Sequence, residues 1–76
     1  MAFYITENSV IEPDSIILVD GATYRTLGIV KPIEHGNFQA TIYCGRRKGD
    51  KFQSQFRDVC EAWIGSTFYS RKKRSI

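Results

Sequence analysis

The sequence predicts an α+β domain, in which a small antiparallel sheet of three to five strands is followed by one short helix near the C-terminus. Three observations carry this. Ile16-Ile17-Leu18-Val19 is a continuous, largely β-branched run, the pattern of a buried strand. Phe38 to Cys44 alternates, with Phe38, Ala40, Ile42 and Cys44 on one side and Gln39, Thr41 and Tyr43 on the other. Asp58-Val59-Cys60-Glu61 fits a capping box, and apolar residues follow at helical spacing. A small SH3-like β-barrel, with the Asp58 segment as its helical turn, is the alternative.

Taken in order, Phe3 to Thr6 is a β-prone run suited to an edge strand, and Glu7 to Ser15, with Asn8, Pro13 and Asp14, reads as a loop. After the Ile16–Val19 strand, Asp20-Gly21 between apolar runs predicts a two-residue hairpin turn, because glycine accepts positive φ. The return strand runs from Thr23 to Val30, with Gly28 marking a bulge. Lys31 to Asn37 is a turn-rich connection. The Phe38–Cys44 strand leads into GRRKGD, and Phe52, Ser54 and Phe56 alternate against Lys51, Gln53 and Gln55 in a second strand. The basic stretch therefore sits at an exposed hairpin tip. The helix starts at Asp58 and turns Val59, Ala62 and Trp63 inward. Gly65 is its expected stop, with Ser66 to Tyr69 as a last strand; a longer helix through Gly65 costs about 1 kcal/mol relative to alanine.

The chain reads as one globular domain over residues 1–70 with a basic tail at 71–76. Seventy-six residues support only a small core, yet 42% hydrophobic and 13% aromatic content is well clear of the disordered class. The N-terminus lacks a basic segment and an apolar run of signal-peptide length, and no stretch reaches about 20 apolar residues, so the expectation is a cytoplasmic protein that engages no membrane. Cys44 and Cys60 then read as reduced thiols, with a disulfide between them the minor alternative. His35 is the single histidine, and no metal-ligand spacing or nucleophile motif accompanies it. Neither a cofactor, a metal nor an enzymatic activity is expected.

Charge carries the functional signal. Residues 1–45 hold Arg25 and Lys31 against five carboxylates, a net −3, while residues 46–76 hold nine cations against three carboxylates, a net +6. Such polarity predicts one basic face. The candidate nucleic-acid contacts are Arg46, Arg47, Lys48 and Lys51 on the hairpin, Arg57, and the tail Arg71-Lys72-Lys73-Arg74. Arginine's planar fork suits paired phosphate oxygens, and lysine acts as a point charge. Tyr43 beside the loop and Tyr69 beside the tail are candidates for stacking on bases, whereas Trp63 reads as core. A solubilising turn and a solubilising tail are the plainer readings of the same charges.

The predicted function is a small, non-enzymatic regulatory module that binds nucleic acid, duplex DNA ahead of RNA. The alternative is a protein-binding modulator or inhibitor that docks an acidic protein surface on a larger host nucleic-acid-processing complex. In size, basic half and lack of catalytic motifs the chain is similar in type to small regulatory proteins of bacterial viruses and mobile elements. Self-association as a homodimer is left open.

Overall fold

The computed structural model describes residues 3–69. Five strands form one sheet in chain order: β1 (Tyr4–Asn8), β2 (Ile16–Asp20), β3 (Thr26–Pro32), β4 (Phe38–Ile42) and β5 (Lys51–Ser54). Every neighbouring pair is antiparallel. A helix, α1 (Arg57–Phe68), packs on one face. The fold is thus α+β. The sheet stays open, with β1 and β5 as its two edges, so the barrel alternative does not hold.

Strand alternation decides which side chains meet the helix. Leu18, Val30, Ala40 and Ile42 point to one face and pack with Leu27, Cys60 and Ile64, all exposed by 4% or less. Burying a side chain the size of Ile64 contributes about 1.5–3 kcal/mol. Gly28 lets β3 and α1 approach. A Cβ there would lie 2.4 Å from the Thr41 carbonyl oxygen and 3.0 Å from the Ile64 Cδ1. The expected bulge is present beside it, as a register shift between Leu18, opposite Gly28, and Val19, opposite Thr26.

Several local expectations are corrected. No two-residue turn follows Asp20; β3 begins only at Thr26, and the positive φ falls on Tyr24, at 61°. The Asp20 carboxylate organises this connection by accepting the Ala22 and Thr23 amides at 3.2 and 2.8 Å. Gly21 matters for a different reason, because a Cβ there would collide with the Phe3 ring at 2.1 Å.

The helix has no capping box. Its N-cap is Phe56, without a side-chain bond, and Asp58 sits in the first turn, where it complements the helix dipole. Glu61 instead accepts the Tyr4 hydroxyl at 3.1 Å. Nor does Gly65 end the helix, which runs on to Phe68 and replaces the expected last strand. Gly65 is buried, and a Cβ there would meet the Tyr4 ring at 2.8 Å. Close packing of Tyr4 thus offsets the poor helix propensity of glycine.

The meander sorts its connections onto two ends. One end gathers the start of β1, the Gly21–Arg25 connection, the 43–50 loop and the last turn of α1. The other gathers the 9–15 loop, the 3₁₀ turn at Glu34–Gly36 and the start of α1.

Candidate nucleic-acid interface

The 43–50 loop is built, not loose. The Gly49 amide donates to the Ile42 carbonyl at 2.7 Å, the Asp50 amide to Arg47 at 2.9 Å and the Lys48 amide to Gly45 at 3.2 Å. Gly45 and Gly49 take positive φ, 84° and 95°, which is why both glycines flank the basic triplet.

The three cations of the loop, and Lys51 beside it at the start of β5, separate into two kinds. Arg47 Nε donates to Asp50 Oδ2 at 2.8 Å, and its guanidinium lies over Trp63, 5.1 Å from the ring centroid. Trp63 in turn stacks on Phe52, with centroids 5.1 Å apart and planes at 14°. Arg47 therefore straps the loop to α1, a contact worth about 0.5–1 kcal/mol at an exposed site. Arg46, Lys48 and Lys51 are exposed and have no ion pair among the described residues. They are the cations this end presents to a partner, joined by exposed Arg25.

The last turn of α1 closes against the same end. A Cβ on Gly45 would stand 3.3 Å from the Phe68 ring, and the Tyr69 hydroxyl donates to the Asp20 carboxylate. Tyr69 also stacks on Tyr4, with centroids 5.9 Å apart. That hydrogen bond, with those from Thr23 and Ala22, pulls the Asp20 carboxyl down to about 2. Burial, then the bond to Asp20, pushes the Tyr69 hydroxyl up to about 12. Tyr69 is thus a structural anchor whose ring already has a stacking partner.

Residues 71–74, the tail part of the expected site, lie outside the described residues. The hairpin cations of the expected site lie at the end where α1 stops. Arg57 is not brought to them. It opens α1 at the opposite end, and a helix of 12 residues is about 18 Å long.

Tyr43 takes a third position. It is 44% exposed and turns to the sheet face away from α1, where it borders a cleft with Ile17 and Ile29. Lys51, paired with Thr41, lies on that same face.

The two cysteines are placed as follows. Cys60 is fully buried, its thiol raised by burial, and donates to the Phe38 carbonyl at 3.6 Å. Both cysteines are free thiols. Among the described residues no group of three or more His, Cys, Asp or Glu side chains could hold a metal ion, and no helix is long and apolar enough to cross a membrane.

Two functional contributions escape the sequence reading: Trp63 as the platform under Arg47, and Asp20 as the tie to the end of α1. The Arg47–Asp50 spacing signals the ion pair within the turn, but no local pattern joins Arg47 to Trp63. Nothing local joins Asp20 to Tyr69. Compared with known proteins, the chain matches no family model, no curated protein and no solved structure.

Proposed function

We propose that the protein is a small regulatory module that holds nucleic acid, duplex DNA in the first instance, with the basic end of its sheet. The observation that carries this reading is the convergence of the 43–50 loop and the end of α1. Arg46, Lys48 and Lys51 stand exposed and without an ion pair among the described residues, at the end where Phe68 and Tyr69 close α1 against the sheet. The loop is braced from within, so little entropy is lost when its cations meet phosphates. Phosphate contacts supply most of the affinity, and base readout falls to Arg46, the arginine of the loop not already engaged.

The test is fluorescence anisotropy of a random-sequence duplex at about 50 and 200 mM salt, where each neutralised phosphate adds about 0.9 to the log–log slope. Binding that weakens steeply between the two supports the reading. No binding at the lower salt removes it.

A second reading, a protein-binding modulator, is favoured by a different observation. Val10 and Ile11 are 98% and 84% exposed, side by side on the 9–15 loop. In addition, residues 3–69 hold seven cations against eight anions, a net −1, so the excess positive charge of the chain belongs to the tail. A retained protein partner without nucleic acid would mark this reading as the better one.

A further inference from the structure

β1 is an edge of the sheet, and the hydrogen bonds around it show which of its backbone groups are left over. The Gly21 amide donates to the Phe3 carbonyl at 2.8 Å, and the Ser9 amide to the Ser15 carbonyl at 2.9 Å. With Tyr4 opposite Asp20 and Asn8 opposite Ile16, these two bonds fix the phase of the ladder. Ile5 and Glu7 turn their backbone groups to β2, so the amides and carbonyls of Tyr4, Thr6 and Asn8 point outward. No backbone group among the described residues takes them up. β1 carries no lysine, proline or bulge to guard this edge, whereas the other edge, β5, is shorter and carries Lys51.

A groove lies beside the same edge. Tyr4, Ala62, Gly65, Ser66 and Tyr69 line about 300 Å³ between β1 and the second half of α1. The rings of Tyr4 and Tyr69 give it an apolar wall, and Ala62 and Ser66 are exposed on the helix side. An aliphatic side chain suits such a lining.

Charge and alternation together select the occupant. Neither β1 nor the stretch Asp58–Tyr69 contains a lysine or arginine, and Glu7, Asp20 and Glu61 stand around the edge. A cationic segment is favoured there, and an anionic one is opposed. A residue set opposite Tyr4, Thr6 or Asn8 directs its side chain to the α1 side, where the groove lies. The residues between them stand beside Ile5 and Glu7 on the other side.

We propose that β1 takes up an extended peptide segment of a partner protein as an added strand, one in which aliphatic residues alternate with lysine or arginine. Main-chain bonds to Tyr4, Thr6 and Asn8 supply the attachment, an aliphatic side chain enters the groove against Tyr4 and Tyr69, and a cation meets Glu7. The site uses no cation of the 43–50 loop, so it stands or falls apart from the duplex reading.

The test is an NMR titration of the full chain with a blocked heptapeptide alternating lysine and valine, carried to about 1 mM. The expected result is amide shifts confined to Tyr4–Asn8 and Ala62–Tyr69, with slowed hydrogen exchange at Tyr4, Thr6 and Asn8. A peptide alternating glutamate and valine should bind about tenfold more weakly. Thr6→Pro removes one outward amide, and Ala62→Arg fills the groove from an exposed position; each should weaken binding about fivefold. Ala62→Arg should also keep the circular-dichroism spectrum, so the test does not depend on the proline variant folding. The inference is overturned by an absence of shifts, by shifts centred on β5 or the 43–50 loop, by equal binding of the two peptides, or by wild-type affinity in Ala62→Arg. It is overturned equally by β1 shifts on raising the protein concentration alone, which would give the edge to a second copy.

Discussion

The two ends of the sheet are made from the same kind of parts and do different work. At the basic end, three connections from distant parts of the sequence are cross-tied. Tyr69 holds Asp20, Phe68 meets the loop at Gly45, and Arg47 lies on Trp63. At the acidic end, the 9–15 loop is organised by bonds within itself, and its one link to the sheet by charge is Lys31 with Glu12 at 4.0 Å. The lesson is that cations of one short loop divide between structural and unpaired roles. Arg47 is spent on bracing, whereas Arg46 and Lys48 have no ion pair among the described residues.

That contrast can be broken most severely at Trp63. Replacing it by alanine removes the platform of Arg47 and the stacking on Phe52, and the half-buried ring should cost about 3 kcal/mol in urea unfolding. If the cost is below about 1 kcal/mol, the loop is not braced from the helix.

Next in size is the combined change Arg46→Ala/Lys48→Ala/Lys51→Ala. It should leave folding intact, lower the salt slope of duplex binding by about 2.7 and cut affinity roughly a hundredfold at low salt, about 2.7 kcal/mol. Unaltered affinity would move the interface elsewhere.

A smaller effect is expected at the tie between Asp20 and Tyr69. Tyr69→Phe keeps the ring stacked on Tyr4 and removes one hydrogen bond, a loss of about 1 kcal/mol. The pH profile follows from the same pair. The Asp20 carboxyl is lowered from 3.8 to about 2 in the fold, so its contribution is present above pH 3.8 and disappears as pH falls through about 2. The Tyr69 hydroxyl is raised from 10.0 to about 12, so its contribution is present below pH 10.0 and disappears as pH rises through about 12. Thermal melts of wild type and Tyr69→Phe should therefore converge at both extremes. A constant gap across pH would separate these shifts from the tie.

The smallest effect belongs to Arg57→Ala. Its position at the start of α1, away from the basic loop, predicts no measurable change in duplex affinity or salt slope. A slope that falls by about 0.9 would place one phosphate at the acidic end.

Much of this architecture was legible in local patterns. The β-branched run of β2 and the alternation of β4 identify their strands and their inward faces, because a period of two leaves little choice once one face is buried. The exposed basic hairpin tip followed from the glycines around Arg46-Arg47-Lys48. One misreading is of the helix face: Val59 and Ala62, expected inward, are exposed, because Cys60 and Ile64 take the buried side. Three others share one cause. Asp20-Gly21, Asp58–Glu61 and Gly65 each carry a strong local signal, and in each a distant aromatic ring overrides it. Phe3 packs over Gly21, Tyr4 packs on Gly65 and takes Glu61 as its hydrogen-bond partner, and Tyr69 takes Asp20. Contacts across 57 and 49 residues leave no trace in a window of ten. For the site, the separation of Arg57 from the hairpin cations follows from β5 running back to the opposite end before α1 begins, which no local pattern around Arg57 gives.

The most direct test of the central claim is a titration of isotope-labelled protein with a short random-sequence duplex, followed by amide shifts in two-dimensional NMR. The account predicts that shifts concentrate on the 43–51 segment, Arg25 and the last turn of α1, while the 9–15 loop and Glu34–Gly36 stay still. Shifts centred on Val10, Ile11 and the acidic end, or no shifts at low salt, would contradict it.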